Sequence, residues 1–362
     1  MDAFFVGVEL LRRPELRGKP VIVATGTDPH ARGVVMAASY EARKFGVHSA
    51  LPLTIAHRRC PQAVLVPRDM SLYRDTSRQV MGMLDRYSDR VEVAGLDEAY
   101  LDLSEEPLPK SCCKRIKHEI RSETGLTCSV GLAPNKLLAK IASDLDKPDG
   151  FYLLRQEQML EAVGDKPAGL IPGVGPKTVE RLAKLGISTV AQLAAAPPSR
   201  LEQAFGPRLG HGLHARANGY DDRPVEVERE RKSESRETTF AHDVSDPSVL
   251  RDTLDRLVTD LCRNLSSSGH RGRTVTLKIR LRPFRTFTRS RTIEHPTADV
   301  SVIGSVAREL LDGFEVDAPV RLLGIGLASL QRNVDEQQPE LAGPSASPPS
   351  VDEWPRLQES SL

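Results

Sequence analysis

Thr274–Arg282 reads Thr-Val-Thr-Leu-Lys-Ile-Arg-Leu-Arg, a strict alternation of period two. Only a strand with one buried face suits that pattern. Val275, Leu277, Ile279 and Leu281 take the core side, and Lys278, Arg280 and Arg282 take the other. Between Arg271 and Ile293 there are eight Lys or Arg and no acid, with Arg289 and Arg291 among the bases. Like charges on adjoining strand positions repel, and a solvated edge defended by charge normally mixes signs. A polyanion lying on the basic face removes the conflict, so this region is expected to bind a nucleic-acid backbone.

A second strand-like run, Val91–Leu103, carries two adjacent carboxylates, Asp97 and Glu98. Strand neighbours point to opposite faces, so the pair converges only where the chain bends, as in a hairpin or bulge. Two close anions cost repulsion and desolvation unless a cation compensates. The pair alone fits either a solvated hairpin tip or half of a magnesium site awaiting another carboxylate and a phosphorylated substrate.

Residues 1–10 begin in mid-pattern, without a polar lead-in. Val21–Ala24 and Val34–Ala38 read as short strands, and Ser39–Gly46 as a short helix capped by Ser39 and ended by Gly46. Tyr40 and Arg43 share a face of that helix, either as an exposed pair or as a grip on a triphosphate. Helices are expected over Tyr73–Tyr87 and Cys112–Thr124, with a strand at Thr127–Leu132. That order gives an α+β layer with helices on one side of a sheet. The following helix carries Lys136 and Lys140 one turn apart, with Lys147 beyond its end. These lysines either complement the helix dipole or aim at phosphate.

Ile171-Pro172-Gly173-Val174-Gly175-Pro176-Lys177-Thr178 joins two short helices, and its glycines let bare backbone N–H groups approach phosphate at a helix N-terminus. This reads as a helix-hairpin-helix with Gly173, Gly175 and Lys177 as expected DNA contacts, the other reading being a purely structural αα-corner. Residues 221–237 are charged and nearly free of large apolar side chains, and read as a solvated tether. Helices are expected at 246–261 and 299–313, a last strand at 320–327, and a disordered Gln-, Pro- and Ser-rich tail over 331–362.

The five cysteines have no paired metal spacing, and an odd number with Cys112 beside Cys113 argues for reduced thiols. The N-terminus does not resemble a signal peptide, and no apolar run reaches the roughly 20 residues that span a bilayer. A cytoplasmic protein with no membrane partner is expected.

Taken together, the motifs resemble the Y-family DNA polymerases, in the DNA polymerase IV branch. The likeness covers nearly all of residues 1–330. It rests on Asp2-Ala3-Phe4-Phe5, Val8-Glu9, Ser39–Val47, Asp97-Glu98-Ala99-Tyr100-Leu101-Asp102, Ser129-Val130-Gly131, Lys147-Pro148-Asp149-Gly150 and Pro172-Gly173-Val174-Gly175. It implies an α+β multidomain right hand: a palm at 1–10 and 74–161, fingers at 11–73, and a helical thumb at 162–220. A linker at 221–232 and an α+β little finger at 233–330 complete it. By that match Asp97 and Glu98 are catalytic metal ligands for two Mg²⁺ ions, with a backbone carbonyl ligand falling on Met1. Phe4, Phe5, Tyr40, Arg43 and Lys147 contact the incoming deoxynucleoside triphosphate, and Phe5 is the steric gate against a ribose 2′-OH. The implied activity is low-fidelity primer extension past damaged template bases, by a monomer acting on primer-template DNA. The sliding clamp is a further implied partner, although no Gln-led clamp peptide is visible after residue 330.

The resemblance also implies a third ligand, an Asp two residues before the position of Asp2, which lies outside the given sequence. Two expectations compete. One is an active polymerase whose start lies upstream. The other is a non-catalytic DNA-binding protein that occupies primer termini. A helix-hairpin-helix repair nuclease fits 171–187 alone and leaves the other motifs unexplained.

Overall fold

The computed structural model describes residues 1–228 and 230–332. The chain divides into two units, Met1–Arg229 and the remainder from Glu230.

In the first unit the opening residues become helical at Phe4. The helix Phe4–Arg12 buries Phe4, Val6 and Val8 against Val21, Val23, Val66 and Tyr73. Val21–Ala24, all four residues buried, is the centre of a three-stranded sheet. Val35–Ala38 flanks it antiparallel and Val64–Pro67 flanks it parallel. Ser39 caps the next helix, accepting from the Ala42 N–H at 3.2 Å, and Gly46 leaves it with φ +75°.

The expected helices are present as Met70–Leu84 and Pro109–Thr124. Between them lies the antiparallel hairpin Val91–Val93 with Ala99–Leu101. The single expected sheet layer, however, is two separate pairs. The hairpin is one, and Val130–Leu132 running parallel to Phe151–Leu153 is the other. A cleft of about 690 Å³ is lined by residues of both, among them Tyr100, Leu101, Val130 and Leu132. Met1 and Asp2 reach both sides: the Met1 ammonium donates to the Asp97 carbonyl at 2.7 Å, and the Asp2 N–H to the Thr127 carbonyl at 3.0 Å.

The helix Lys136–Leu145 buries Leu137, Leu138 and Ile141 in a core shared with Met159, Leu182, Leu193, Leu201 and Leu213 of the helical segment that follows. The span 221–226, read as tether, is docked here. Asp221 accepts from the Leu137 N–H at 3.1 Å, and the Glu226 N–H donates to Glu92 at 2.9 Å. The first turn of a helix has N–H groups without intrahelical partners, and the Asp221 carboxylate satisfies one of them.

The second unit is a sheet in the order Arg285–Thr297, His270–Leu281, Val320–Ala328, Ser233–Val244, with neighbours antiparallel. Helices Pro247–Ser267 and Val300–Asp312 pack on the face carrying Val275, Leu277, Ile279 and Leu281. Residues 233–237 therefore belong to an edge strand and not to a tether. Gln331–Arg332, assigned to the tail, pair with His270 and Arg271. The rest of the expected tail, 333–362, lies outside the described residues. Among the described residues no helix is long and apolar enough to cross a membrane.

Candidate nucleotidyl-transfer site and nucleic-acid surfaces

Asp97 and Glu98 sit in the bend of the hairpin. The bend is fixed by the Ala94 and Gly95 N–H groups, which both donate to the Glu98 carbonyl, at 3.0 and 3.1 Å. The two carboxylates line the same cleft as Met1, Lys136, Lys140 and Lys147. Each lysine has an acidic partner. Lys136 holds Glu92 at 2.6 Å, Lys140 holds Glu98 and lies 3.5 Å from Asp144, and Lys147 holds Asp144 at 2.6 Å. Burial alone pushes Glu92 up, but the Lys136 ammonium and the Glu226 N–H reverse this and hold its carboxyl below the usual range. For Lys140, burial works against the charged form, but Glu98 and Asp144 together outweigh it and leave the ammonium harder to deprotonate.

Asp2 is buried and its oxygens are engaged. Ser129 Oγ donates to one at 2.7 Å and the Asp149 N–H to the other at 2.9 Å. Asp149 in turn bridges Lys117 and Arg121 at 2.8 and 2.9 Å. The turn Lys147–Gly150 is thus pinned from two directions, which fixes where Lys147 begins.

On the helix Tyr40–Arg43 the Arg43 guanidinium lies over the Tyr40 ring, 4.7 Å from its centroid, and Nε donates to the Ala38 carbonyl at 3.0 Å. The Tyr40 hydroxyl is buried with no hydrogen-bond partner. Burial, with the nearby charge of Asp2 adding to it, raises its pKa. A buried orphan donor beside a cation is an opening for an anionic oxygen. Phe5 is half-buried and stacks on Tyr73 with centroids 4.5 Å apart and planes at 20°. Tyr73 is itself tied to buried Glu9 at 2.7 Å, so the stack rests on a fixed platform. Phe4, by contrast, is 3% exposed and packed in the core. Among the nucleotide contacts expected from sequence, Lys147 lines the cleft with Asp97 and Glu98, whereas Phe4, Phe5, Tyr40 and Arg43 do not.

Asp97 and Glu98 are hard oxygen donors of the kind that divalent cations such as Mg²⁺ take. No cluster of three or more His, Cys, Asp or Glu suited to a metal occurs among the described residues. The pair fits as part of a ligand set and does not by itself complete one.

In the helix-hairpin-helix the expected leading helix is only a 3₁₀ turn, Ala168–Leu170, and the second helix is Pro176–Lys184. Gly173 has φ +87°, and a Cβ there would lie 2.5 Å from Arg216 Nη1. Arg216 donates to the Pro172 carbonyl at 3.1 Å, a support for the loop that no local pattern announces. Gly175 is the N-cap, and Lys177 is exposed in the first turn.

On the basic sheet the register separates the arginines. Lys278 pairs with Thr288 and Arg280 with Thr286, facing away from the helices beside Thr276 and Ser290. Arg289 and Arg291 pair with Leu277 and Val275, so they share the helix-covered face. Arg289 lies over Phe314 at 5.5 Å and Arg291 is bonded to Glu309. The two arginines therefore do not share the face of Lys278 and Arg280. Gly324 stands between Lys278 and Glu237 across three strands, and a Cβ there would come within 2.9 Å of Glu237 Cβ. Its bareness lets Lys278 reach Glu237 at 2.7 Å.

A cleft with paired carboxylates and lysines, a glycine-rich helical hairpin and a basic sheet define a protein that handles nucleic acid. Comparison with known proteins agrees. Residues 1–144 match the impB/mucB/samB family, 231–341 its C-terminal domain, and 169–221 the thumb domain of DNA polymerase-iota. The chain is 44% identical over 93% of its length, and 94% of the relative's, to a protein named DNA polymerase IV from Methanoculleus marisnigri. A DNA polymerase IV from Alkalilimnicola ehrlichii is 43% identical over 94% of this chain and 97% of that one. A solved Y-family DNA polymerase chimera superposes with a TM-score of 0.81 at 29% identity, covering 92% of this chain and 98% of the other. The chain belongs to the Y-family DNA polymerases, in the DNA polymerase IV branch. Its relatives lend no support to the alternative of a non-catalytic DNA-binding protein.

Proposed function

We propose that the chain is a template-directed, low-fidelity DNA polymerase that extends primers past damaged bases. The carrying observation is the single cleft in which the Asp97–Glu98 bend faces Lys140 and Lys147. In the reaction the primer 3′-oxygen forms a bond to the α-phosphorus of a deoxynucleoside triphosphate, the α–β bridging bond breaks, and pyrophosphate leaves. Asp97 and Glu98 would hold two Mg²⁺ ions, with the Met1 carbonyl as a further oxygen. Bound there, Mg²⁺ lowers the pKa of the primer hydroxyl and neutralises phosphate charge. Tyr40 gives its orphan hydroxyl to a phosphate oxygen, Arg43 and Lys147 supply positive charge, and Phe5 on its Tyr73 platform fills the space of a 2′-OH.

In this reading residues 1–10 and 74–161 are the palm, 11–73 the fingers, 162–220 the thumb and 233–330 the little finger. Gly173, Gly175 and Lys177 grip the duplex backbone through exposed N–H groups and charge. Lys278, Arg280 and Arg282 add phosphate contacts on the second unit. We place the protein in the cytoplasm as a monomer, with the sliding clamp as a further partner.

The test is Asp97→Ala and, separately, Glu98→Ala. Each is expected to lower single-nucleotide extension by about 10²–10³ or more, the scale for losing one preorganised charge contact, while primer-template affinity stays within about threefold. Extension by Asp97→Ala at the parent rate overturns the assignment.

A further inference from the structure

Lys147, Asp144, Lys140 and Glu98 form a chain of ion pairs that alternates in sign, and Lys147, Lys140 and Glu98 line the cleft. Lys140 and Asp144 are one turn apart on the helix Lys136–Leu145, and Lys147 lies three residues beyond Asp144. The Asp144 carboxylate divides between two cations unequally. One oxygen holds Lys147 at 2.6 Å, while the other lies 3.5 Å from Lys140. Lys140 is left to bond Glu98.

We infer that Asp144 is a positioning residue that couples triphosphate binding at Lys147 to cation binding at Glu98, acting through Lys140. The inference rests on the roles of Lys147 and Glu98 proposed above. A triphosphate competes with Asp144 for the Lys147 ammonium. Once Lys147 turns to phosphate, Asp144 has lost its nearer cation, and its attraction falls wholly on Lys140. Lys140 then moves toward Asp144 along its own helix, and the Glu98 oxygen it held is released to a divalent cation. Without nucleotide the same oxygen stays neutralised, so Lys140 acts as a stand-in cation that keeps the site from filling early. Coupling of this kind is reciprocal: the nucleotide tightens cation binding by the same factor by which the cation tightens nucleotide binding. Part of the cooperativity comes from the phosphates acting as ligands themselves, and Asp144 supplies the rest.

The experiment measures Mn²⁺ binding by its paramagnetic resonance signal, on the 362-residue chain with a dideoxy-terminated primer-template. Titrations run with and without the template-matched deoxynucleoside triphosphate. The factor by which nucleotide tightens Mn²⁺ is expected to fall about threefold or more in Asp144→Asn, the low end of measured pairwise couplings. It should fall similarly in Lys140→Met, where Mn²⁺ without nucleotide also binds more tightly because Glu98 is free. The double variant should fall no further than Lys140→Met alone. An unchanged factor in Asp144→Asn, or additive losses in the double variant, overturns the relay. Asp97→Ala separates the two layers. If it leaves Mn²⁺ binding unaltered, the proposed metal site has failed and the relay with it. If it abolishes Mn²⁺ binding while Asp144→Asn leaves the factor intact, only the relay has failed.

Discussion

Phe5, the proposed steric gate, sits on a fixed support. It stacks on Tyr73, and the Tyr73 hydroxyl is held by Glu9, so the ring cannot yield without breaking a buried contact. Burial and the Glu9 hydrogen bond both raise the Tyr73 pKa, so the hydroxyl keeps its proton and the bond across the working pH range. In the proposed site, Phe5→Ala removes the ring that would fill the space of a ribose 2′-OH. Ribonucleotide incorporation should rise relative to deoxyribonucleotide by about tenfold or more, since excluding a misfitting group is worth about 1–3 kcal/mol. The ratio of the two kcat/KM values checks it, and an unchanged ratio makes Phe5 a packing residue. Neighbouring Phe4 offers the contrast: at 3% exposure its ring packs in the core, so its truncation should cost stability and leave the ratio alone.

At the scale of elements, the span 221–226 is a strap over the helix Lys136–Leu145. Asp221 caps the Leu137 N–H and is held by Arg223 at 2.7 Å. Burial would raise the Asp221 pKa, but Arg223 and the backbone donors lower it below the ordinary value. A group whose folded pKa is depressed stabilises above its unfolded pKa and loses that contribution as pH falls through the folded value. Asp221→Asn should therefore lower the stability of the first unit at pH 7 by about 1–2 kcal/mol. The difference from the parent should shrink below about pH 4. Urea transitions at the two pH values decide it, and a pH-independent difference removes the charge from the explanation. The strap was illegible because its contacts join residues 84 positions apart. The same holds for the site. The Asp97–Glu98 bend and the Tyr40–Arg43 pair could be read because their geometry is local. Lys140 on Glu98 and Asp2 on Ser129 span 42 and 127 positions and could not. The strand Ser233–Val244 was hidden by polarity: as an edge it meets its one partner, Val320–Ala328, with mostly polar alternation. The face taken by Arg289 and Arg291 was hidden for another reason. Alternation says which residues share a face, and only the register says which face it is.

For the molecule as a whole, the net charge of +1 supplies almost no long-range attraction to nucleic acid, so affinity depends on local faces. On the second unit the outward face combines Lys278 and Arg280 with hydroxyls of Thr276, Thr286 and Ser290, while Arg282, expected on the same strand face, lies in the turn beyond Leu281, and Glu237 is held against Lys278. A phosphate must displace Glu237 to reach that lysine. Replacing Lys278, Arg280 and Arg282 by Gln should weaken primer-template binding at every sequence, and each lost phosphate contact should lower the slope of log K against log salt by up to roughly 0.9. Glu237→Gln should act in the opposite direction, tightening binding without changing the protein's fold, because Lys278 then faces the phosphate unpaired. Arg289→Gln and Arg291→Gln, on the helix side of the same hairpin, should leave the slope as it is. Fluorescence anisotropy over a salt series reads all three at once. If the arginines on the helix side carry the slope and the outward bases do not, the DNA lies on the other face of the sheet, and the register argument for the outward face is wrong.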